Sequence, residues 1–133
     1  MRMHEVMVVV HRPGPEFLVL LRSPARGGYW NLPAGGVEEG ESAAEAASRE
    51  LLEETGLHGD LAGLGLELGY AKPPGWVRLD AFSAGAPAGW EPELDDEHVE
   101  RRWCSEREAV DLLAYPEPRE AVREAARLLE GEA

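Results

Sequence analysis

The chain has 133 residues, a length that suits one domain, and its 44% apolar content suffices for a core without disulfides or a structural metal. Against 26 Asp and Glu stand 13 Lys and Arg, and the net charge of −13 argues against sequence-independent binding to nucleic-acid polymers, which needs clustered cations. A single cysteine, Cys104, rules out an intrachain disulfide, and no apolar run is long enough to cross a bilayer, so a reducing, cytoplasmic setting is expected.

Residues 3–11 and 17–22 are rich in Val and Leu and flank Arg12-Pro13-Gly14-Pro15-Glu16, which reads as strand, turn and strand. Met1–Val10 lacks the pattern of a signal peptide and is taken as the first strand. After a loop at 23–28, residues 29–33 form a short extended piece carrying Trp30, followed by the glycine-punctuated acidic loop 34–41. Ser42 and Glu45 predict a capping box opening a helix that Gly56 ends, with Ala43, Ala46, Ala47, Leu51 and Leu52 as its buried stripe. Residues 57–71 alternate loosely among repeated glycines, a strand with bends. A turn at Pro73-Pro74-Gly75 leads to a strand at 76–83, and a loop at 85–97 carries Asp95, Asp96 and Glu97. A last strand, 99–104, precedes a helix capped by Ser105 and Glu108, and Pro116–Pro118 starts a terminal helix over 119–130. Cys104 and Trp103 are assigned to the core, His98 to structural hydrogen bonding at a loop edge, and strand-edge aromatics such as Trp76 and Trp90 to core or base stacking. Interspersed strands and helices without a long linker make a single α/β domain over 1–133.

Glu50, Glu53 and Glu54 are spaced i, i+3, i+4 on the first helix, so three carboxylates share one face with Arg49 beside them. A helix built for stability alone would interleave Lys among such repelling charges. Grouped carboxylate oxygens suit a hard divalent cation, though a solvated acidic face has the same pattern. The glycine pair Gly35-Gly36 upstream brings the backbone close to this helix, where a carbonyl can add a ligand.

The run Gly35-x5-Glu41-x7-Arg49-Glu50-Leu51-x-Glu53-Glu54-x-Gly56-Leu57 resembles the signature of the Nudix hydrolases, with every defined position filled, and Trp30-Asn31-Leu32-Pro33-Ala34 resembles the family's lead-in. The resemblance implies an α/β/α sandwich around a mixed β-sheet. It also implies hydrolysis of a nucleoside diphosphate linked to another moiety by water attack at phosphorus, with Mg2+ or Mn2+. It assigns Glu50, Glu53 and Glu54 to metal, with the Gly35 carbonyl assisting and Glu41 in support, and gives Arg49 the task of orienting the glutamates. Glu97, just ahead of the last strand, matches positions used for metal or water in several members and is the first candidate for general base, against an ordinary acidic loop.

Arg22, Arg26 and Trp30, around the loop ahead of this signature, are the candidate substrate contacts, and each arginine reads equally as a surface charge. The tail from Glu97 to Trp103 resembles members acting on (deoxy)nucleoside triphosphates or dinucleoside polyphosphates. Pro73 and Pro74, 16 and 17 residues beyond Leu57, resemble the proline of members acting on ADP-ribose, yet equally fit a tight turn. A nucleotide-sugar substrate and a non-catalytic binding or regulatory domain stay open, although no signature carboxylate is missing. The expected partner is thus a small nucleotide, neither a nucleic-acid polymer nor a membrane. The C-terminal helices serve either a homodimer contact or cover for the sheet.

Overall fold

The computed structural model describes residues 3–131; Met1 and Arg2 of the expected first strand, and the last two residues, lie outside this range. Its strands are β1 (His4–Arg12), β2 (Glu16–Arg22), β3 (Trp30–Asn31), β4 (Ala34–Gly36), β5 (Leu61–Gly63), β6 (Leu68–Lys72), β7 (Gly75–Gly85) and β8 (His98–Cys104). Its α-helices are α1 (Ala43–Thr55), α2 (Glu106–Leu112) and α3 (Pro116–Gly131). The main path of the sheet runs β3-β2-β1-β7-β5, with β4 on β1, β6 on β7 and β8 on β2. β1 and β7 are parallel and the other pairs antiparallel, so the sheet is mixed.

The alternation of side chains along β1 and β2 divides the interior. Val6, Val8, Val10, Leu18 and Leu20 face α1 and join Ala46, Ala47 and Leu51. Met7, Val9, Phe17 and Val19 face the other way and join Ala109, Leu113, Ala121, Val122 and Ala125 from the α2–α3 side. Both faces of the central strands are therefore covered, which is the α/β/α sandwich expected. Each fully buried Leu contributes about 1.5–3 kcal/mol over an exposed one. The small alanines on α1 and α3 let those helices lie close to the sheet.

Both capping boxes form: Ser42 and Glu45 bond reciprocally at 3.1 and 2.9 Å, and Ser105 and Glu108 at 3.2 and 2.8 Å. Gly56, in the left-handed region at φ 80°, ends α1 with its N–H on the Leu52 carbonyl.

Several local expectations change in the tertiary setting. Ala34–Gly36, expected as loop, is a strand, because β1 extends past β2 and offers free backbone partners to residues 34–36. The expected strand 57–71 splits into β5 and β6, both antiparallel to β7. Lys72 pairs with Gly75, so Pro73 and Pro74 form the two-residue loop of a hairpin. Leu52 is exposed rather than part of the α1 stripe, and its place on the inner face is taken by Glu54 and Thr55. Trp76 is 59% exposed, at the rim of a cavity it shares with Gly69 of β6 and Pro116 and Glu120 of α3. Cys104 is buried as expected. Trp103 is only half-buried at the margin of the α1-side core, where its indole N–H needs a polar partner and takes Glu91 at 3.0 Å.

Glu91 anchors the long loop between β7 and β8. Its carboxylate accepts from Arg12 at 2.9 Å and Arg101 at 2.8 Å as well as from Trp103, while Arg12 lies 3.9 Å above the Trp103 ring and also donates to the Trp90 carbonyl. Arg12 chiefly, then Trp103 and Arg101, hold the Glu91 carboxyl down at about 2. A depressed carboxylate pKa contributes stability that is present above the ordinary glutamate range and is lost as pH falls through about 2. Glu91→Gln is therefore expected to lower the melting temperature near neutrality, and the gap from wild type should close as acid approaches that value. Because these side chains are partly exposed, added salt should narrow the gap as well; a gap independent of pH would contradict the assignment.

Candidate active site

The acidic cluster lies where α1 crosses β4. Arg49 is its hub: Nε and Nη2 donate to Glu41 Oε2 and Oε1 at 2.8 and 2.9 Å, Nη2 also to the Gly36 carbonyl at 3.0 Å, and Nη1 to Glu50 Oε1 at 2.7 Å. Glu53 is 3.6 Å away. The acidic partners, Glu41 foremost, push the Arg49 pKa above its ordinary value. One guanidinium thus ties the loop before α1, strand β4 and the helix itself into one unit.

Gly35 is extended rather than turned, and its lack of a side chain serves proximity: a Cβ there would overlap the Glu50 carboxyl group. The left-handed residue of the loop before α1 is Gly40, φ 80°.

Glu54 points inward. It is 3% exposed, and its Oε1 takes the Ala34 N–H at 3.4 Å while Oε2, also buried, has no hydrogen-bond partner among the described residues. Burial first, and then the neighbouring Glu50 carboxylate, push the Glu54 pKa up to about 10. An ionised Glu54 in this place calls for a cation. The orphaned oxygen and the cradle at Gly35 both fit a divalent metal beside Glu50 and Glu54. Glu53 is less prearranged, its side chain 57% exposed, and among the described residues no three acidic, His or Cys side chains converge into a ready metal cage. Arg49 draws Glu41 and Glu50 to itself instead.

The β7–β8 loop approaches this cluster and is tied to the end of α1 by the Glu93 N–H on the Thr55 carbonyl at 2.8 Å. The residue it places against Glu54 is His98, with Nε2 3.4 Å from Glu54 Oε1. Expected as a loop-edge residue, His98 begins β8 and its side chain is 1% exposed. Glu97 faces Arg26 at 3.5 Å and is half exposed. Arg22 donates to the Arg26 carbonyl at 3.0 Å and stands 5.5 Å over the Tyr29 ring, so it holds this loop together. Trp30 is half-buried against the core with Arg102 5.9 Å above it.

A cavity of ≈ 470 Å3 adjoins the cluster, lined in part by Tyr29, Asn31, Ala34, Tyr70 and Tyr115. Ala34 is shared between the cavity and the Glu54 contact. Tyr29 and Tyr115 meet edge to face at 5.3 Å, and the Tyr70 hydroxyl donates to Glu5 at 2.6 Å. Tyr70 and Tyr115 escape sequence reasoning because β6 and the α2–α3 junction meet only in the fold. A second cavity of ≈ 610 Å3 at the opposite end of β1, beside Pro13–Pro15, contains none of the acidic-signature residues.

The NUDIX domain family model matches residues 1–126, and the chain belongs to the Nudix family. It is 40% identical over 125 residues to an octanoyltransferase of Myxococcus xanthus, covering 90% of this chain and 35% of that protein. It is 34% identical over 120 residues to an 8-oxo-(d)GTP phosphatase of Mycolicibacterium smegmatis, covering 88% of this chain and 32% of that one. The chain therefore spans about a third of the length of these curated relatives. Among solved structures, an Ap4A hydrolase of C. elegans in a binary complex superposes with a TM-score of 0.84 at 26% identity, over 97% of this chain and 98% of that one.

Two outcomes follow for the metal-free protein. Gly35→Ala should displace the Glu50 carboxylate and lower melting temperature, and a crystal structure of the variant with Glu50 unmoved would refute the packing argument. A raised carboxylate pKa means that the folded state holds a proton the unfolded chain releases, so its stability falls as pH rises from the ordinary glutamate range toward about 10. Glu54→Gln should remove this alkaline loss in melting curves taken with chelator; an unchanged pH profile would count against a buried, proton-holding Glu54.

Proposed function

We propose that the chain is a metal-dependent Nudix pyrophosphohydrolase whose substrate is a small nucleotide, a (deoxy)nucleoside triphosphate or a dinucleoside polyphosphate. The observation that carries this reading is the partnerless Oε2 of buried Glu54 beside Glu50, inside a signature with every defined position filled. A buried carboxylate beside a second one is costly unless a cation accompanies them. Glu50, Glu53 and Glu54 would hold Mg2+ or Mn2+, with the Gly35 carbonyl as a further donor. When bound, such an ion lowers the pKa of water and offsets charge on phosphoryl oxygens.

The chain's own groups would do the rest. Arg49 keeps Glu50 and Glu41 in place. Glu97, half exposed on its loop, would accept the proton of the attacking water, and Arg26 beside it would contact phosphate oxygens. Trp30 and Arg22 would shape the wall next to that loop. The nucleoside would enter the adjoining cavity, where Tyr29 and Tyr115 offer aromatic faces and Asn31 an amide. The names of the M. smegmatis and C. elegans relatives, a triphosphate phosphatase and an Ap4A hydrolase, support this substrate class. The proline clue to ADP-ribose has a sufficient cause in the β6–β7 hairpin. The octanoyltransferase name rests on a protein of which 35% is matched. No described helix is long and apolar enough to cross a membrane, and a cytoplasmic setting remains our proposal.

The test is a panel of nucleoside triphosphates, 8-oxo-dGTP, Ap4A, ADP-ribose and nucleotide sugars with Mg2+ or Mn2+, with products identified. Triphosphates or Ap4A should be cleaved, chelator should abolish turnover, and Glu54→Gln should cut kcat by orders of magnitude with the fold retained. Arg26→Ala should act mainly on KM, and Glu97→Gln on kcat. Absence of cleavage across the panel, or full activity in Glu54→Gln, would defeat the proposal.

A further inference from the structure

We infer that His98, itself oriented by Asp95, is a positioning residue that turns the Glu54 carboxylate so that Oε2 is the oxygen left to bind metal. The inference rests on the metal-site reading above. Three features of the fold converge on it. First, the two carboxylate oxygens of Glu54 have unlike surroundings. Oε1 accepts the Ala34 N–H and faces His98 Nε2 at 3.4 Å, whereas Oε2 has no partner. Second, His98 has no freedom to serve solvent. Its ring is buried, its Nδ1 is 2.7 Å from Asp95 Oδ1, and among the described residues its Nε2 has no formed hydrogen bond, with Glu54 Oε1 as the carboxylate oxygen it faces. Asp95 also accepts the Glu97 N–H at 3.3 Å, so the carboxylate that orients the ring belongs to a fixed turn.

Third, the backbone is built to aim this side chain inward. In the β2–β8 ladder Leu21 pairs with Glu100 but Arg22 pairs with His98, so Val99 is passed over at a bulge. Strict alternation would carry residues 98 and 100 to one face; here Glu100 and Val99 are exposed and His98 is buried. Bulges beside functional sites re-aim side chains in this way. At 3.4 Å the His98–Glu54 contact falls short of a formed hydrogen bond, so the pair can tighten when Oε2 is engaged. Partners that orient a ligand typically contribute about 10–100-fold in metal affinity or activity.

The test uses the whole chain and Mn2+ alone as probe, with free Mn2+ followed by electron paramagnetic resonance, and melting temperature measured in parallel. Asn at position 98 carries its amide near Nδ1 and keeps a partner for Asp95, whereas Gln carries it near Nε2 and keeps a partner for Glu54. His98→Asn should weaken Mn2+ binding about 10–100-fold and lower kcat on the best panel nucleotide with little change in KM. His98→Gln should recover most of both. Asp95→Asn, whose side chain is less buried, should shift Mn2+ binding in the same direction as His98→Asn, which covers the case in which position 98 variants fold poorly. In a Glu54→Gln background, His98→Asn should cause no further loss of Mn2+ affinity. The positioning role is overturned if His98→Asn binds Mn2+ like wild type, if His98→Gln is as impaired as His98→Asn, or if the losses at 98 and 54 add. Wild type that takes up no Mn2+ would overturn the metal reading and the inference together, whereas tight binding by wild type and His98→Asn alike removes the inference alone.

Discussion

The grip of Arg49 on Glu41, Glu50 and the Gly36 carbonyl is the interaction on which the rest of the site depends. Glu38, Glu41, Glu50 and Glu53 all lie within 4 Å of it, drawn from the loop before α1 and from α1 itself. Carboxylates so crowded repel unless a cation is shared, and a guanidinium shares itself better than an ammonium because its donors fan out in a fixed plane. The same grip pulls β4 against α1. Gly35 can lie under Glu50 only because it has no side chain, so the electrostatic and the steric requirements meet at one crossing.

That crossing sits over a sheet whose two faces are both packed. Because Val6, Val8 and Val10 anchor α1 while Met7 and Val9 anchor the α2–α3 layer, α1 cannot shift without opening a core. Rigid packing behind the helix holds Glu54 in a place where its charge is unfavourable. A helix end selected for stability would put an apolar residue there. The cost to the metal-free fold is the counterpart of the site's proposed affinity for a cation. The Arg12–Glu91–Trp103 cluster has a comparable role at longer range, fastening the loop that brings Asp95 and His98 to the same carboxylate.

The overall charge takes on meaning in this setting. Seven acids, Glu38, Glu39, Glu41, Glu45, Glu50, Glu53 and Glu54, belong to or adjoin one signature, and Asp95 approaches from the facing loop through His98. A field of that sign repels polyanions, while a small phosphoanhydride accompanied by a divalent ion is tolerated. Tyr29, Tyr70 and Tyr115 in the adjoining cavity add aromatic surface that does not depend on charge.

Much of this was legible along the chain, wherever one local rule was sufficient. Alternation in β1 and β2, the Ser-x-x-Glu caps of α1 and α2, the Gly56 stop and the signature from Gly35 to Leu57 each depend on neighbours within a few residues. What depended on distant partners was not legible. Ala34–Gly36 became a strand because β1 had backbone groups to offer, and Trp76, beside the start of α3, is still 59% exposed. The cavity gathered tyrosines from positions 29, 70 and 115, and a one-residue bulge at Val99 turned His98 from a loop-edge residue into the neighbour of Glu54. The acidic helix and the family signature are local properties of the chain, because helix geometry places i, i+3 and i+4 on one face whatever surrounds them. Which carboxylate is buried and what stands against it emerge in the folded chain, because burial and strand register are set by contacts between segments far apart in sequence.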